Sequence, residues 1–101
     1  MQLQVITRAM WELESSKEVV ERLVALNLST KLDQYLEKFQ KDDAEWIIEV
    51  IADKNKKWLF DARIQANLDG KAFRFEREDY KNLDDLINNL FDHFKQALSD
   101  M

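Results

Sequence analysis

The chain has 101 residues, no cysteine and one histidine, which excludes a disulfide framework, a thiol nucleophile and a cysteine-based zinc site. Its 46% apolar and 35% charged residues, the charges of both signs, describe one core-forming domain over residues 1–101 rather than a disordered segment. A net charge of −5 runs against the basic excess by which nucleic-acid binders neutralise phosphates. No window has the length and apolarity of a membrane span, and the first residues lack the basic-then-apolar pattern of a signal sequence. A soluble cytoplasmic protein is the expectation.

Residues 2–13 alternate, with Leu3, Val5, Thr7, Ala9, Trp11 and Leu13 on one face, which predicts a half-buried strand. Ser15-Ser16-Lys17-Glu18 then forms a candidate capping box, with Ser15 as N-cap. A helix follows, with Val19, Val20, Leu23, Val24 and Leu28 inward and the same spacing resumed at Leu32, Tyr35, Leu36 and Phe39. Asn27-Leu28-Ser29-Thr30 interrupts it, either as a weak point in one helix, the favoured reading, or as the start of a second helix with Thr30 pairing Asp33. Lys41-Asp42-Asp43 closes the helix.

Residues 44–52 form a β-branched run with Trp46, Ile48 and Val50 on one face, and a polar turn follows at residues 53–57. Trp58, Phe60, Ala62, Ile64 and Ala66 alternate as the inner face of a third strand. Asp69-Gly70 supplies a two-residue hairpin turn, and residues 72–78 form a fourth strand with Phe73 and Phe75 inward. Asp79 is the expected N-cap of a last helix whose stripe is Leu83, Leu86, Ile87, Leu90, Phe94 and Leu98. The fold class is therefore α+β, in the order β-α-β-β-β-α. It has a four-stranded, mostly antiparallel sheet with two helices packed on one face.

This order, the opening residues 1–5, the run Lys31-Leu32-Asp33-Gln34-Tyr35-Leu36-Glu37-Lys38-Phe39 and the stretch from Ala62 to Leu90 resemble the ribosome hibernation-promoting and ribosome-associated inhibitor family. That family is also known as the sigma-54 modulation proteins. Tyr80, Leu83, Asp84, Leu86, Ile87 and Leu90 match its pattern Tyr-x-x-Ile-Asp-x-Leu-Ile-x-x-Leu. The resemblance implies a short-form, non-enzymatic factor without cofactor. Such a factor lies on small-subunit ribosomal RNA through basic residues on two adjacent helices and occludes the decoding path. Carried over, the RNA-binding candidates are Lys31, Lys38, Lys41 and Lys95, with Arg22 and Lys81 beside them. Where the family carries further bases this chain has Gln34, Asn89 and Asp92. From Asp79 to Asp100 there are two bases (Lys81, Lys95) against five acids (Asp79, Asp84, Asp85, Asp92, Asp100).

The remaining features have structural readings. Residues 44–78 hold seven bases and seven acids, which suits charge pairing across strands better than an RNA site. Trp11, Trp46 and Trp58 fall on inward faces, so core packing is expected rather than base stacking. His93 reads as a solvated residue of the last helix, and Asp84-Asp85 as favourable charges at its positive end. Ile47, Ile51 and Leu59 alternate outward among Glu45, Glu49, Asp61 and Arg63, a candidate protein-interface patch. The alternative function is thus an acidic protein-interaction or homodimerising module on the same fold.

Overall fold

The computed structural model describes residues 2–32, 35, 45–68 and 70–100. Strand β1 (Gln2–Ala9) leads through a 3-10 helix (Trp11–Ser16) into α1 (Lys17–Asn27), which continues as a π-helical turn (Leu28–Leu32). Strands β2 (Glu45–Lys54), β3 (Phe60–Leu68) and β4 (Lys71–Tyr80) follow, and α2 (Leu83–Ser99) closes the order. The sheet runs β1-β2-β3-β4. A helical crossover returns the chain in the same direction, so β1 pairs parallel with β2, while short turns make the other two pairs antiparallel. The expected α+β class and β-α-β-β-β-α order are those of the molecule.

One face of the sheet carries the core. Trp46, Ile48, Val50 and Ala52 of β2 and Ala62, Ile64, Ala66 and Leu68 of β3 are all buried beneath the helices. From above come Val20, Val24 and Leu32, and the stripe Leu86, Ile87, Leu90, Phe91, Phe94 and Leu98 of α2. The Phe94 ring lies 5.9 Å from both Phe73 and Phe75, tilted to one and edge-on to the other. It thereby anchors α2 on β4 in the geometry that aromatic quadrupoles favour. Phe91, absent from the expected stripe, is fully buried.

The first strand is shorter than its alternation suggests. After Ala9 the chain must leave the sheet to reach its helical face, and the 3-10 turn makes that step, with Leu13 N–H donating to Met10 O at 3.0 Å. Leu13 is buried from the turn rather than from a strand. The side chain of Trp11 lies outside the description. Leu3 and Val5 share the helical side with Trp46 and Ile48 but, on the edge strand, remain 39% and 36% exposed.

Ser15 is not a cap. It sits inside the 3-10 helix, and the N-cap position falls on Ser16, which makes no side-chain bond. A 3-10 helix running straight into α1 already offers carbonyls to the first N–H groups. The buried stripe of α1 is Val20, Val24 and Asn27, so Val19, one residue off that line, is 40% exposed instead of inward.

Asn27–Thr30 is a weak point across which the chain stays helical as far as Leu32, and the stretch that would join it to Phe39 lies outside the described residues. Leu28 keeps helical angles, and the hydroxyls of Ser29 and Thr30 both donate to Leu26 O, at 3.1 and 2.8 Å. Such back-bonding competes for the carbonyl that an α-helical N–H would use, and here the turn widens to π. Thr30 is thereby not a cap. Leu36, Phe39 and the expected helix end at Lys41-Asp42-Asp43 lie outside the described residues.

Two expectations on the later strands need correction. Trp58 is not an inward strand residue; it has φ 63°, is 66% exposed, and β3 starts only at Phe60. Asp79 is not the cap of α2 either. It is still in β4, with φ 62°, where the register slips from Phe60↔Tyr80 to Ala62↔Arg77, a β-bulge. The cap is Asn82, whose side-chain oxygen accepts from Asp84 N–H at 3.0 Å. The hairpin closes as expected by Leu68↔Lys71 pairing, with Gly70 at φ 91°, while Asp69 lies outside the described residues.

Candidate nucleic-acid interface

Because α1 and α2 cover the same sheet face side by side, their outer surfaces form one continuous face. Lys31 leaves the π-helical turn toward α2. Its ammonium sits 2.8 Å from an Asp92 carboxylate oxygen and donates to Asn88 O at 3.1 Å, and its side chain is only 21% exposed. One turn earlier Asn27, buried between the helices, donates through Nδ2 to Leu23 O at 2.8 Å and to Asn88 Oδ1 at 2.9 Å. Its own Oδ1 has no partner among the described residues. The junction of the two helices is therefore cross-linked by polar side chains, not lined by free cations.

On the far flank of α2, Arg77 rises from β4. The register places it on the helical side of the sheet with Ala62, Phe75 and Phe73, not on the outer face. Its Nε donates to Asn89 Oδ1 at 3.1 Å, its Nη1 to Glu76 O at 2.7 Å, and its Nη2 meets His93 Nε2. His93 is exposed as expected, but it is a partner of Arg77 rather than a free surface residue.

Asn89 and Asp92, which stand where the resembling family has bases, are thus each joined to a base from another element. Arg22, Lys81 and Lys95 are exposed and make no ion pair among the described residues. Lys38 and Lys41 lie outside the described residues.

On the outer sheet face the residues of the expected apolar patch are spread along β2 and the turn that follows it. Ile47 and Ile51 both point outward and are half-buried, but they stand roughly 13 Å apart along β2. Glu49 lies between them, ion-paired to Arg8 at 3.0 Å. Leu59 is half-buried in the β2–β3 turn, outside β3.

That turn holds the residues that alternation missed. Asn55 organises it: its Oδ1 accepts from Lys57 N–H at 2.9 Å and Leu59 N–H at 3.2 Å. Its Nδ2 donates to Asp61 Oδ1 at 2.9 Å and Asp79 Oδ1 at 2.7 Å. Asp79 N–H donates to Asp61 Oδ1 at 3.0 Å, and Lys57 Nζ lies 3.3 Å from Asp79 Oδ2. The turn and the β4 bulge are one hydrogen-bonded unit, which accounts for two neighbouring left-handed residues that carry side chains. The sequence signal was Asn55 two residues before Lys57-Trp58, a side chain suited to imitating a backbone turn.

No protein-family model matches the chain, and no curated protein matches its sequence. Among solved structures it is similar to the crystal structure of the Thermus thermophilus Protein Y N-terminal domain. The TM-score is 0.67 at 22% identity, covering 99% of this chain and 98% of that one. The likeness extends the resemblance read from the sequence to the whole architecture: this chain folds as the Protein Y N-terminal domain does.

Proposed function

We infer that the chain is a ribosome-associated, hibernation-type factor that sits on small-subunit ribosomal RNA and closes the decoding path by occupying it. The observation that carries this reading is the fold shared with Protein Y over 99% of the chain, joined to the family spacing from Tyr80 to Leu90. The mechanism is steric and needs no nucleophile, metal or cofactor. Arg22 and Lys95 are exposed on the two helices and Lys81 just before α2, and Lys38 and Lys41 complete the candidate phosphate contacts. Lys31 contributes only when Asp92 releases it. A cytoplasmic location follows from the ribosomal partner; among the described residues no helix is long and apolar enough to cross a membrane.

Sucrose-gradient co-sedimentation with ribosomes across a salt series tests the reading. Co-migration at low salt with steep release as salt rises is expected, because each phosphate contact releases counterions. A protein that stays at the top of the gradient at every salt concentration defeats it.

A second reading has its own observation. The bases nearest the helix junction and the α2 flank, Lys31 and Arg77, are spent on Asp92 and Asn89, which suits an acidic interaction module that no longer meets RNA. In that reading the outer sheet face around Ile47 and Ile51 joins two copies. Light scattering decides it: a dimer mass that Ile47→Lys abolishes supports it, and a concentration-independent monomer mass removes it.

A further inference from the structure

The end of the sheet formed by the β2–β3 turn combines three properties found together nowhere else among the described residues. It carries the most exposed large apolar side chain, Trp58 at 66%. Around it stand Lys54, Lys56 and Lys57, with Lys81 following directly on Tyr80, the cross-strand partner of Phe60. Its backbone is held rigid by Asn55 in a left-handed conformation that a tryptophan adopts only under restraint. A hydrophobic indole has no folding reason to be fixed in water.

The local carboxylates keep their charge but are fixed within the turn rather than paired with Lys54 or Lys56. Asp61 and Asp79 turn an oxygen each to Asn55, Asp79 gives its other to Lys57, and Asp53 Oδ1 accepts from the N–H of Lys54. Lys54 and Lys56 make no ion pair among the described residues. The Lys54 ammonium lies 5.2 Å from the centroid of the Trp58 ring and 5.4 Å from that of Phe60, steadying the indole from one side.

We propose that Trp58 and its lysines form a contact site for single-stranded nucleic acid, with an unpaired base stacked on the indole and neighbouring phosphates on Lys54, Lys56 and Lys81. A flat, rigid aromatic face beside flexible cations matches this ligand: every base offers a π-face, and the backbone charge follows at a fixed spacing. A protein partner would instead call for an apolar surround, and Trp58 has the Lys54 ammonium over its ring and Lys56 and Lys57 just before it in the chain. The site lies at the end of the sheet, centred on Trp58 and sharing only Lys81 with the candidate contacts of the helical surface, and it stands without the hibernation reading.

The test is anisotropy of a fluorescein-labelled ten-nucleotide single-stranded RNA with the full chain at low salt, with tryptophan emission followed in parallel. Quenching on binding is expected, and its loss in Trp58→Phe assigns it to this residue among the three tryptophans. Trp58→Ala should weaken binding about 10-fold, and Lys56→Glu comparably, with a salt dependence shallower by about one contact. Both residues are exposed, so circular dichroism should show an unchanged fold. Arg22→Glu/Lys95→Glu serves as the other arm, expected to reduce ribosome co-sedimentation while leaving oligonucleotide affinity within about 2-fold. The proposal is overturned if Trp58→Ala binds like the parent, if only the Arg22/Lys95 variant loses the oligonucleotide, if the parent binds no oligonucleotide, or if an acidic peptide of equal charge binds as tightly.

Discussion

The helical face and the β2–β3 turn are both built from bases, carboxylates and asparagines, yet they present opposite surfaces. Between the helices, the side chains of Asn27 and Asn88 bond to each other, and Asp92 draws Lys31 down to 21% exposure. In the turn, Asn55 occupies the carboxylates of Asp61 and Asp79 and leaves Trp58 and Lys56 in water. The lesson is that a count of bases says little about a binding face. What matters is which partner has already satisfied each charge, because a paired ammonium must be released before it can meet a phosphate.

The comparison breaks most severely if the ground under one region is removed. Phe94 supports only the helical face, between α2 and the rings of Phe73 and Phe75. Phe94→Ala should cost about 3–5 kcal/mol in urea denaturation, and the fraction that remains folded should keep Trp58-dependent quenching. A loss below about 1 kcal/mol would mean that α2 is not anchored through this ring.

Asn55→Ala attacks the other region. It removes the donor shared by Asp61 and Asp79 and the acceptor for two backbone N–H groups, so about 1–3 kcal/mol should be lost. Amide exchange at Leu59 and Asp79 should accelerate more than at the core positions Ile48 and Ile64. Uniform acceleration would show that the turn is not a separate restrained unit.

Asp92→Asn is the gentlest change and the sharpest for function. An exposed pair contributes only about 0–1 kcal/mol, so stability should barely move. Lys31, once released, should tighten low-salt ribosome binding and steepen its salt dependence by about one contact. An unchanged slope would leave Lys31 outside any RNA-facing surface.

Much of the framework was legible because it depends on periodicity. Trp46, Ile48 and Val50 alternate and are buried; Leu86, Ile87, Leu90, Phe94 and Leu98 follow helical spacing and are buried. Apart from Val19 and Phe91 inside the helices, the misreadings sit where the chain changes direction. Trp11 and Leu13 continue the alternation of β1 by accident while the backbone has already turned into a 3-10 helix. Trp58 does the same at the start of β3, and Asp79 looks like a cap because the bulge that uses it is visible only from the strand opposite. The candidate site was less legible. Lys31 and Asp92 are 61 residues apart in sequence, and Arg77 shares the face of Phe73 and Phe75, but only the packed helix shows that it meets Asn89 and His93.

By itself, then, the sequence determined the order of elements, the fold class and most of the buried positions of β2, β3 and α2, since these follow from local spacing of apolar side chains. Only the tertiary structure decided the state of the charges. It set Asp92 against Lys31, Asn89 against Arg77, and Asn55 between two carboxylates. Pairings of that kind are made across elements, where no local pattern records them and only the packed geometry brings the partners within hydrogen-bonding distance.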